Sequence, residues 1–391
     1  MSVTDVPGFV AAGVPCGIKR PANLDLALVA TDDGQPVPTA GVFTSNKMTA
    51  PPVTVSRHKL NETDGMASAV IMNSGNANAA TGRDGMRDAV QMAASTAEAM
   101  KIDAPNVLVC STGLIGYALP MDVIESGIPR VVDALSVDGG LAAATAMMTT
   151  DTVAKQTLVT AEIEDTTISI GGIAKGAAML EPNMATMLAV LTTDAELTSD
   201  EAGTLLRQAV VPAFNSLTVD GAQSTNDTVL LFANGRAGRV EPQSVLEPLT
   251  EACMELAVMM ADDAEGSTKT VFITVEGAAT DTEAATIARS IANCQLVKCS
   301  WYGKDPYWGR IASEAGSAAE NFLPDSLSIS YGGILTFDKG KETNPDAVAL
   351  TEVMEKRRLE LVVDLGIGHG QGKVITTDLT HGYIDENMGT S

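Results

Sequence analysis

The sequence predicts a layered α+β protein rather than a doubly wound parallel sheet. Short β-like runs fold back on one another across tight polar turns, and amphipathic helices are mixed with these antiparallel hairpins. The chain has 391 residues, more than one core usually supports, so two lobes are expected. A hydrophobic content of 45% with 35 glycines belongs to a folded globular chain, not a disordered one.

Taken in order, Leu24 to Ala30 is an apolar run that reads as a buried strand. Ala69 to Met72 reads as another, running into the loop Asn73-Ser74-Gly75-Asn76-Ala77-Asn78. From Asp84 to Met100, the apolar residues Met86, Val90, Ala93, Ala94, Ala97 and Met100 recur at three- and four-residue steps, the signature of an amphipathic helix. Val107 to Cys110 is a strand feeding the loop Ser111-Thr112-Gly113. Thr157 to Ile163 and Thr167 to Ile173 alternate around Glu164-Asp165, an antiparallel hairpin that ends at Lys175.

Met187 to Leu191 is a further strand, followed by a helix that Thr198 and Glu201 open as a capping box. Helices also fit Leu246 to Met260 and Glu283 to Ala292, the latter with Thr280 and Glu283 as its capping box. Strands fit Thr270 to Val275, Ser326 to Phe337, Leu359 to Leu365 and Gly372 to Asp378. Gly366-Ile367-Gly368-His369-Gly370-Gln371-Gly372 lacks the G-K-[ST] ending of a phosphate loop and reads as a glycine-rich hairpin. There is no internal repeat and no low-complexity linker.

Charge and cysteines narrow the function. With 25 basic and 49 acidic residues the net charge is −24, which argues against nucleic-acid binding through a broad basic surface. Neither a signal peptide nor an uncharged apolar run of membrane-spanning length is visible. The five cysteines form no C-x-x-C pair, so a reducing cytoplasm with free, mostly buried thiols is expected. His58, His369 and His381 lie far apart, and no metal site is expected.

The chemistry concentrates in Lys175-Gly-Ala-Ala-Met-Leu-Glu-Pro-Asn-Met-Ala185-Thr186-Met-Leu188. Here a threonine follows a small residue where a Gly/Pro-marked loop meets an apolar strand. Its hydroxyl can attack the carbonyl of Ala185. If that bond breaks, Thr186 becomes an N-terminus with a nucleophile and its own base, because an α-amine titrates near ~7.7–8.0 and a lysine near ~10.4. By local sequence alone, an ordinary loop leading into a buried strand fits equally well.

Other segments carry weaker signals. Ser111-Thr112-Gly113 offers a hydroxyl and a Gly backbone N–H to a developing oxyanion, although it is also common turn chemistry. Lys175 and the run Met148-Thr149-Thr150-Asp151-Thr152 read equally as a strand-end charge and turn caps. Asp262-Asp263-Ala264-Glu265-Gly266 reads as a solvated helix end.

Together these blocks resemble the ornithine acetyltransferase family, the glutamate N-acetyltransferases of arginine biosynthesis. The family's K-G-x-x-M-x-x-P-x-M-A-T-M-L pattern is filled at every fixed position, and Ser111 to Gly116 matches its S-T-G-x-I-G element. The likeness extends through Gly13 to Lys19, Gly41 to Asn46, Asn73 to Asn78 and Ser224-Thr225-Asn226-Asp227-Thr228. It continues into Asp305-Pro306-Tyr307-Trp308-Gly309-Arg310 and Leu379 to Asn387. Departures are Ala80, Ala178, Ala264 and Tyr307, and the tail after Asn387 is one residue shorter than the family pattern.

The resemblance implies a four-layered α/β/β/α fold of the self-processing, N-terminal-nucleophile-like type. It implies cleavage between Ala185 and Thr186 into an α chain (1–185) and a β chain (186–391), assembled as α2β2. Thr186 is then the nucleophile, Thr112 and Gly113 the oxyanion hole, and Thr149, Lys175, Thr186, Glu265, Asn387 and Ser391 the substrate contacts. The implied reaction moves acetyl from N2-acetylornithine to glutamate through an acetyl-threonine ester, with no cofactor. Whether acetyl-CoA is a second acetyl donor is left open by these motifs. Two other classes fit the same residues: an N-terminal-nucleophile amidase or aminopeptidase with water as acceptor, and an amino-acid-binding protein that never cleaves.

Overall fold

The computed structural model describes residues 1–20, 22–181 and 187–389. It divides into two compact units, one of residues 1–215 with 223–260 and one of 216–222 with 261–391. Ala185, Thr186 and Ser391 lie outside the described residues. The units do not divide at the 185/186 boundary, because strands from beyond it complete a sheet begun before it.

The first unit opens with β1 (Phe9–Val14), β2 (Leu26–Thr31), β3 (Val37–Phe43), α1 (Pro51–Glu62), β4 (Met66–Ala67) and β5 (Ala69–Asn76). There follow α2 (Gly82–Met100), β6 (Val107–Leu114), α3 (Met121–Asp133), α4 (Gly140–Met147), β7 (Lys155–Ile163) and β8 (Thr166–Lys175). The unit ends with β9 (Leu188–Glu196), α5 (Ser199–Val210), β10 (Thr228–Arg239) and α6 (Leu246–Asp262). One sheet has the order β1-β2-β5-β6, and the other β4-β3-β10-β9-β8-β7. Among the described residues, the parallel neighbours in these two sheets are β5 with β6 and β9 with β10.

Alternation along the strands builds the layers. Leu26, Leu28, Ala69, Ile71, Val107 and Val109 face Met92 and Ala93 of α2 and Ile124 and Ile128 of α3. The opposite face, with Val29, Val70, Met72, Leu108 and Cys110, meets Ile173, Leu188, Val190, Leu230 and Phe232 of the six-stranded sheet. The far side of that sheet is covered by α5 and α6: α5 packs on β3, Thr157 donates to Glu255, and Leu256 lies against Gly172. The first unit is thus an α/β/β/α sandwich, the layering expected.

The second unit contains β11 (Thr270–Ala278), α7 (Asp281–Asn293), α8 (Gln295–Tyr302), α9 (Trp308–Ala318), β12 (Ser328–Tyr331) and β13 (Ile334–Asp338). It continues through β14 (Lys341–Glu342), α10 (Ala347–Glu355), β15 (Arg358–Asp364), β16 (Gly370–Thr377) and α11 (His381–Glu386). Its sheet runs β14-β13-β12-β15-β11-β16, packed through Ile273, Ile329 and Leu361 against Ile287 and Ile291 of α7, Trp301 of α8 and Ile311 of α9.

Several elements differ from expectation; among them, β5 runs on through Asn76, where a loop from Asn73 was expected. Ser326 to Phe337 is two strands, because Gly332 and Gly333, at φ 54° and 83°, turn the chain into a hairpin between β12 and β13. Gly366 to Gly372 is no hairpin: β15 and β16 flank β11, and the loop crosses its end with the Ile367 and Gly368 N–H groups both 2.8 Å from the Gly277 carbonyl. On α2 the buried face is Gly85, Ala89, Met92, Ala93, Thr96 and Ala97, whereas Val90 is 50% exposed. Thr280 caps α7, but the Glu283 carboxylate accepts from the Glu320 and Asn321 N–H groups instead of closing a capping box.

Tyr307, one of the departures from the family pattern, is the N-cap of α9 and offers no side-chain acceptor to its first turn. Replacing it with a residue that caps, Tyr307→Asn, is expected to stabilise the second unit by roughly 0.5–1 kcal/mol. The readout is the urea midpoint at unchanged slope; a lower midpoint contradicts the argument.

Candidate active site

The six-stranded sheet brings residues from distant parts of the chain to one end. Lys175 closes β8 and pairs with Leu188, the first residue of β9, which pairs on its other side with Thr228 of β10. Thr228 in turn faces Phe43 of β3. Met187, which directly follows Thr186 in the chain, is held at both backbone groups. Its N–H donates to Asp227 Oδ1 at 2.9 Å, and its carbonyl accepts the Thr228 N–H at 3.1 Å.

Lys175 is 3% exposed. Its Nζ donates to Thr149 Oγ1 at 2.7 Å and lies 3.9 Å from Asp151 Oδ2. Asp151 is the hub of this cluster. It accepts from Lys155 Nζ at 2.7 Å, from the Gly176 N–H at 2.7 Å and from the Thr149 N–H at 3.0 Å. Burial pushes the Asp151 carboxyl up, but Lys175, then Lys155 and the Gly176 N–H, overcome it and hold it well below the usual carboxylate range. Lys19 closes the cluster's neighbourhood, with Nζ 3.0 Å from the Leu24 carbonyl and 2.6 Å from that of Met148; burial lowers its pKa.

Thr112 and Gly113 lie on the last turn of the pleat of β6, not in a loop after it, paired with Ser74 and Gly75 of β5. The strand runs on because Ser111 and its neighbours find polar partners in the interior: Ser111 Oγ donates to Asn73 Oδ1 at 2.6 Å. Gly113 has φ 129°, and a Cβ there would come within 2.3 Å of the Gly75 backbone, so only glycine permits this approach. Thr112 is 4% exposed while Gly113 reaches the surface. Cys110 is no rival nucleophile: burial pushes its thiol up to about 12.

One buried segment joins these parts. Asn226 Nδ2 donates to the Ser111 carbonyl at 2.9 Å and to the Ala77 carbonyl at 2.6 Å. The next residue, Asp227, holds Met187, and its own carbonyl accepts the Thr44 N–H at 3.0 Å. A continuous polar connection therefore runs from the candidate oxyanion strand to the residue that follows the candidate nucleophile.

In the second unit, Glu265 is 8% exposed and accepts from Asn387 Nδ2 at 2.7 Å. Gly266, at φ 60°, lets the backbone approach α11, since a Cβ there would sit 2.1 Å from the Tyr383 nitrogen. Thr380 fastens this contact, donating to the Gly266 carbonyl at 2.6 Å and capping α11 by accepting the Tyr383 N–H. The left-handed conformation falls on Gly266, so Ala264 is accommodated without strain.

Of the residues named from sequence, Thr149 meets Lys175, Thr112 and Gly113 share one strand end, and Glu265 meets Asn387. Ala185, Thr186 and Ser391 lie outside the described residues. Asp151, Lys155, Asn226 and Asp227 were not singled out as site residues. A signal was present for Asn226 and Asp227, which lie in the matched Ser224 to Thr228 block directly before β10; Asp151 sits in a run that reads as turn caps, and nothing in the sequence marked Lys155.

The chain was compared with known proteins. The model of the ArgJ family matches residues 10–389. The arginine biosynthesis bifunctional protein ArgJ of Streptomyces avermitilis is 43% identical over 394 residues, covering 100% of each chain. The protein of the same name from Thermobifida fusca is 42% identical over 392 residues, again covering 100% of each. The solved ornithine acetyltransferase of Mycobacterium tuberculosis, complexed with ornithine, is 40% identical over 46% of this chain and 94% of that one, with a TM-score of 0.41.

Removing the Asp151 charge leaves two buried ammonium groups facing each other. Asp151→Asn is expected to cost about 3–5 kcal/mol at neutral pH, read by chemical denaturation. Because the folded pKa is depressed, the wild-type contribution is fully present above the ordinary carboxylate value of about 3.9 and is lost as pH falls toward the folded value. The variant should lack that acid-dependent loss; equal stability at pH 7 contradicts the argument.

Proposed function

We propose, from the premise that the chain belongs to the ArgJ family, that it is a self-cleaving acetyltransferase of arginine biosynthesis. It moves the acetyl group of N2-acetylornithine to glutamate. The observation that carries this reading is the polar segment Asn226-Asp227-Thr228, which bonds both the Ser111 carbonyl beside Thr112 and the Met187 amide beside Thr186.

Processing starts with attack of the Thr186 hydroxyl on the Ala185 carbonyl carbon. The new C–O bond replaces the peptide C–N bond, the nitrogen gains the proton the hydroxyl loses, and water hydrolyses the ester. The products are 1–185 and 186–391. They stay associated because β9 and β10 of the second product sit in one sheet with β3 and β8 of the first. We take the working form as α2β2.

In the processed enzyme the Thr186 hydroxyl attacks the acetyl carbonyl, and its own α-amine receives the proton. Thr112 and the Gly113 N–H stabilise the oxyanion. The α-amine passes the proton to the departing ornithine nitrogen, leaving an acetyl-threonine ester. The glutamate amine then attacks this ester, regenerating the hydroxyl. In the first unit Lys175, steered by Asp151 and Thr149, has the charge for a carboxylate; in the second, taken by itself, Glu265, oriented by Asn387, has the charge for an ammonium group. Ser391 completes the substrate contacts. No cofactor enters these steps; acetyl-CoA, if accepted, donates to the same hydroxyl. With its five cysteines free, the protein fits a reducing cytoplasm.

Intact-mass and N-terminal analysis tests the reading. Wild type should give two co-purifying fragments, one starting Thr-Met-Leu-Ala-Val, and Thr186→Ala a single uncleaved chain without transfer. Cleavage and acetyl transfer by Thr186→Ala overturn it, and acetate release that ignores glutamate makes the protein a hydrolase. Thr112→Val should lower kcat on the order of 10²–10³-fold, in steady-state assays of transfer.

A further inference from the structure

The side chain of Asp227 is fully buried, yet only one of its oxygens is used among the described residues. Oδ1 accepts the Met187 N–H at 2.9 Å, and Oδ2 has no hydrogen-bond partner. Such an oxygen is costly to bury and calls for an explanation. The Thr44 and Ser224 hydroxyls act on the carboxyl without satisfying Oδ2: Thr44 Oγ1 donates to the Ser224 carbonyl at 2.8 Å, and Ser224 Oγ accepts the Asn226 N–H at 3.0 Å. The backbone on either side is fixed, with the Asp227 carbonyl accepting from Thr44 and the Thr228 N–H donating to Met187. This rigid carboxyl is bonded to the amide that immediately follows Thr186.

We propose that Asp227 is the positioning residue for the Thr186 nucleophile: its buried carboxyl pins the Met187 amide and so fixes the chain directly after residue 186. The proposal rests on the reading of Thr186 as nucleophile and extends it. Asp227 is not itself a catalytic acid or base. It acts by fixing where the first strand of the processed chain begins, so that hydroxyl and α-amine start from one geometry. A misplacement of about 1 Å at a nucleophile can cost on the order of 10²-fold in rate.

The carboxyl must be neutral for this to work. Burial pushes Asp227 well above the usual carboxylate range, against the Met187 N–H, the Ser224 and Thr44 hydroxyls and, among charged groups, Lys175, all of which pull it down. A carboxylate beside the freed α-amine would hold a proton on that amine and remove the base. A neutral carboxyl accepts the Met187 N–H and leaves the amine near its ordinary value of about 7.7–8.0.

The test compares Asp227→Asn with Asp227→Ala in the full chain. Measurements are the precursor half-time by intact mass, kcat and KM for acetyl transfer per processed enzyme, and the pH profile of kcat/KM. Asparagine is neutral and keeps an acceptor for Met187. It should process and turn over within about threefold of wild type, with the acid limb of the profile unmoved. Alanine should slow processing and lower kcat by at least about tenfold, with KM for N2-acetylornithine within about twofold. If alanine does not fold, Asp227→Ser, too short to reach Met187, carries the same expectation.

Wild-type processing and kcat in Asp227→Ala overturn the proposal, as does a fall in Asp227→Asn that matches it. A shift of the acid limb by about one unit in Asp227→Asn also overturns it, because the wild-type carboxyl would then be charged. Failure of the nucleophile assignment looks different: Thr186→Ala would still cleave and transfer, whatever Asp227 does.

Discussion

The structure depends on where β9 lies. It runs between β8, which precedes the expected scission in sequence, and β10, which follows it, with Leu188 in register with both Lys175 and Thr228. The first pairs of β9 therefore tie the residues just after Thr186 into a sheet whose faces are both covered. Strands buried on both sides resist fraying, because an exposed ladder bond gains water and loses packing. The cut we propose just before such a strand would leave the strand itself anchored.

Around that strand the protein accepts costs that a purely structural core would avoid. Lys155, Asp151 and Lys175 put two cations and one anion in the interior, and buried ion pairs of this kind are weak sources of stability. Here they fix the direction of one ammonium group at the sheet end. Asp227 adds a buried oxygen without a hydrogen-bond partner among the described residues. Local rules broken side by side, inside an otherwise regular sandwich, are a mark of function.

Sequence and structure agree best where a pattern is local. The hairpin of β7 and β8 turns at Glu164-Asp165, and the Thr198–Glu201 capping box opens α5 with both of its hydrogen bonds. Agreement fails where the decisive neighbour is distant in sequence. Glu283 looked like half of a capping box, but its carboxylate is taken by the Glu320 and Asn321 amides. The glycines from 366 to 372 looked like a hairpin, but β11 lies between β15 and β16. Val90 falls in step with the apolar residues of α2, yet it lies off the packed face, which is Gly85, Ala89, Met92, Ala93, Thr96 and Ala97.

The sequence by itself determined the α+β class, most elements, the residues of the self-cleavage motif and the family, because propensities, caps and motif spacing are written along the chain. It also named Thr112, Gly113, Thr149, Lys175, Glu265 and Asn387 as candidates. Tertiary structure alone decided which residues act together. Asp151 became the partner of two lysines, Asn226 the link to Ser111, and Asp227 the holder of Met187, through hydrogen bonds spanning from 4 to 115 positions. Such partners are chosen by register between strands and by the cost of burying an unpaired charge, and neither quantity exists until the sheets have closed.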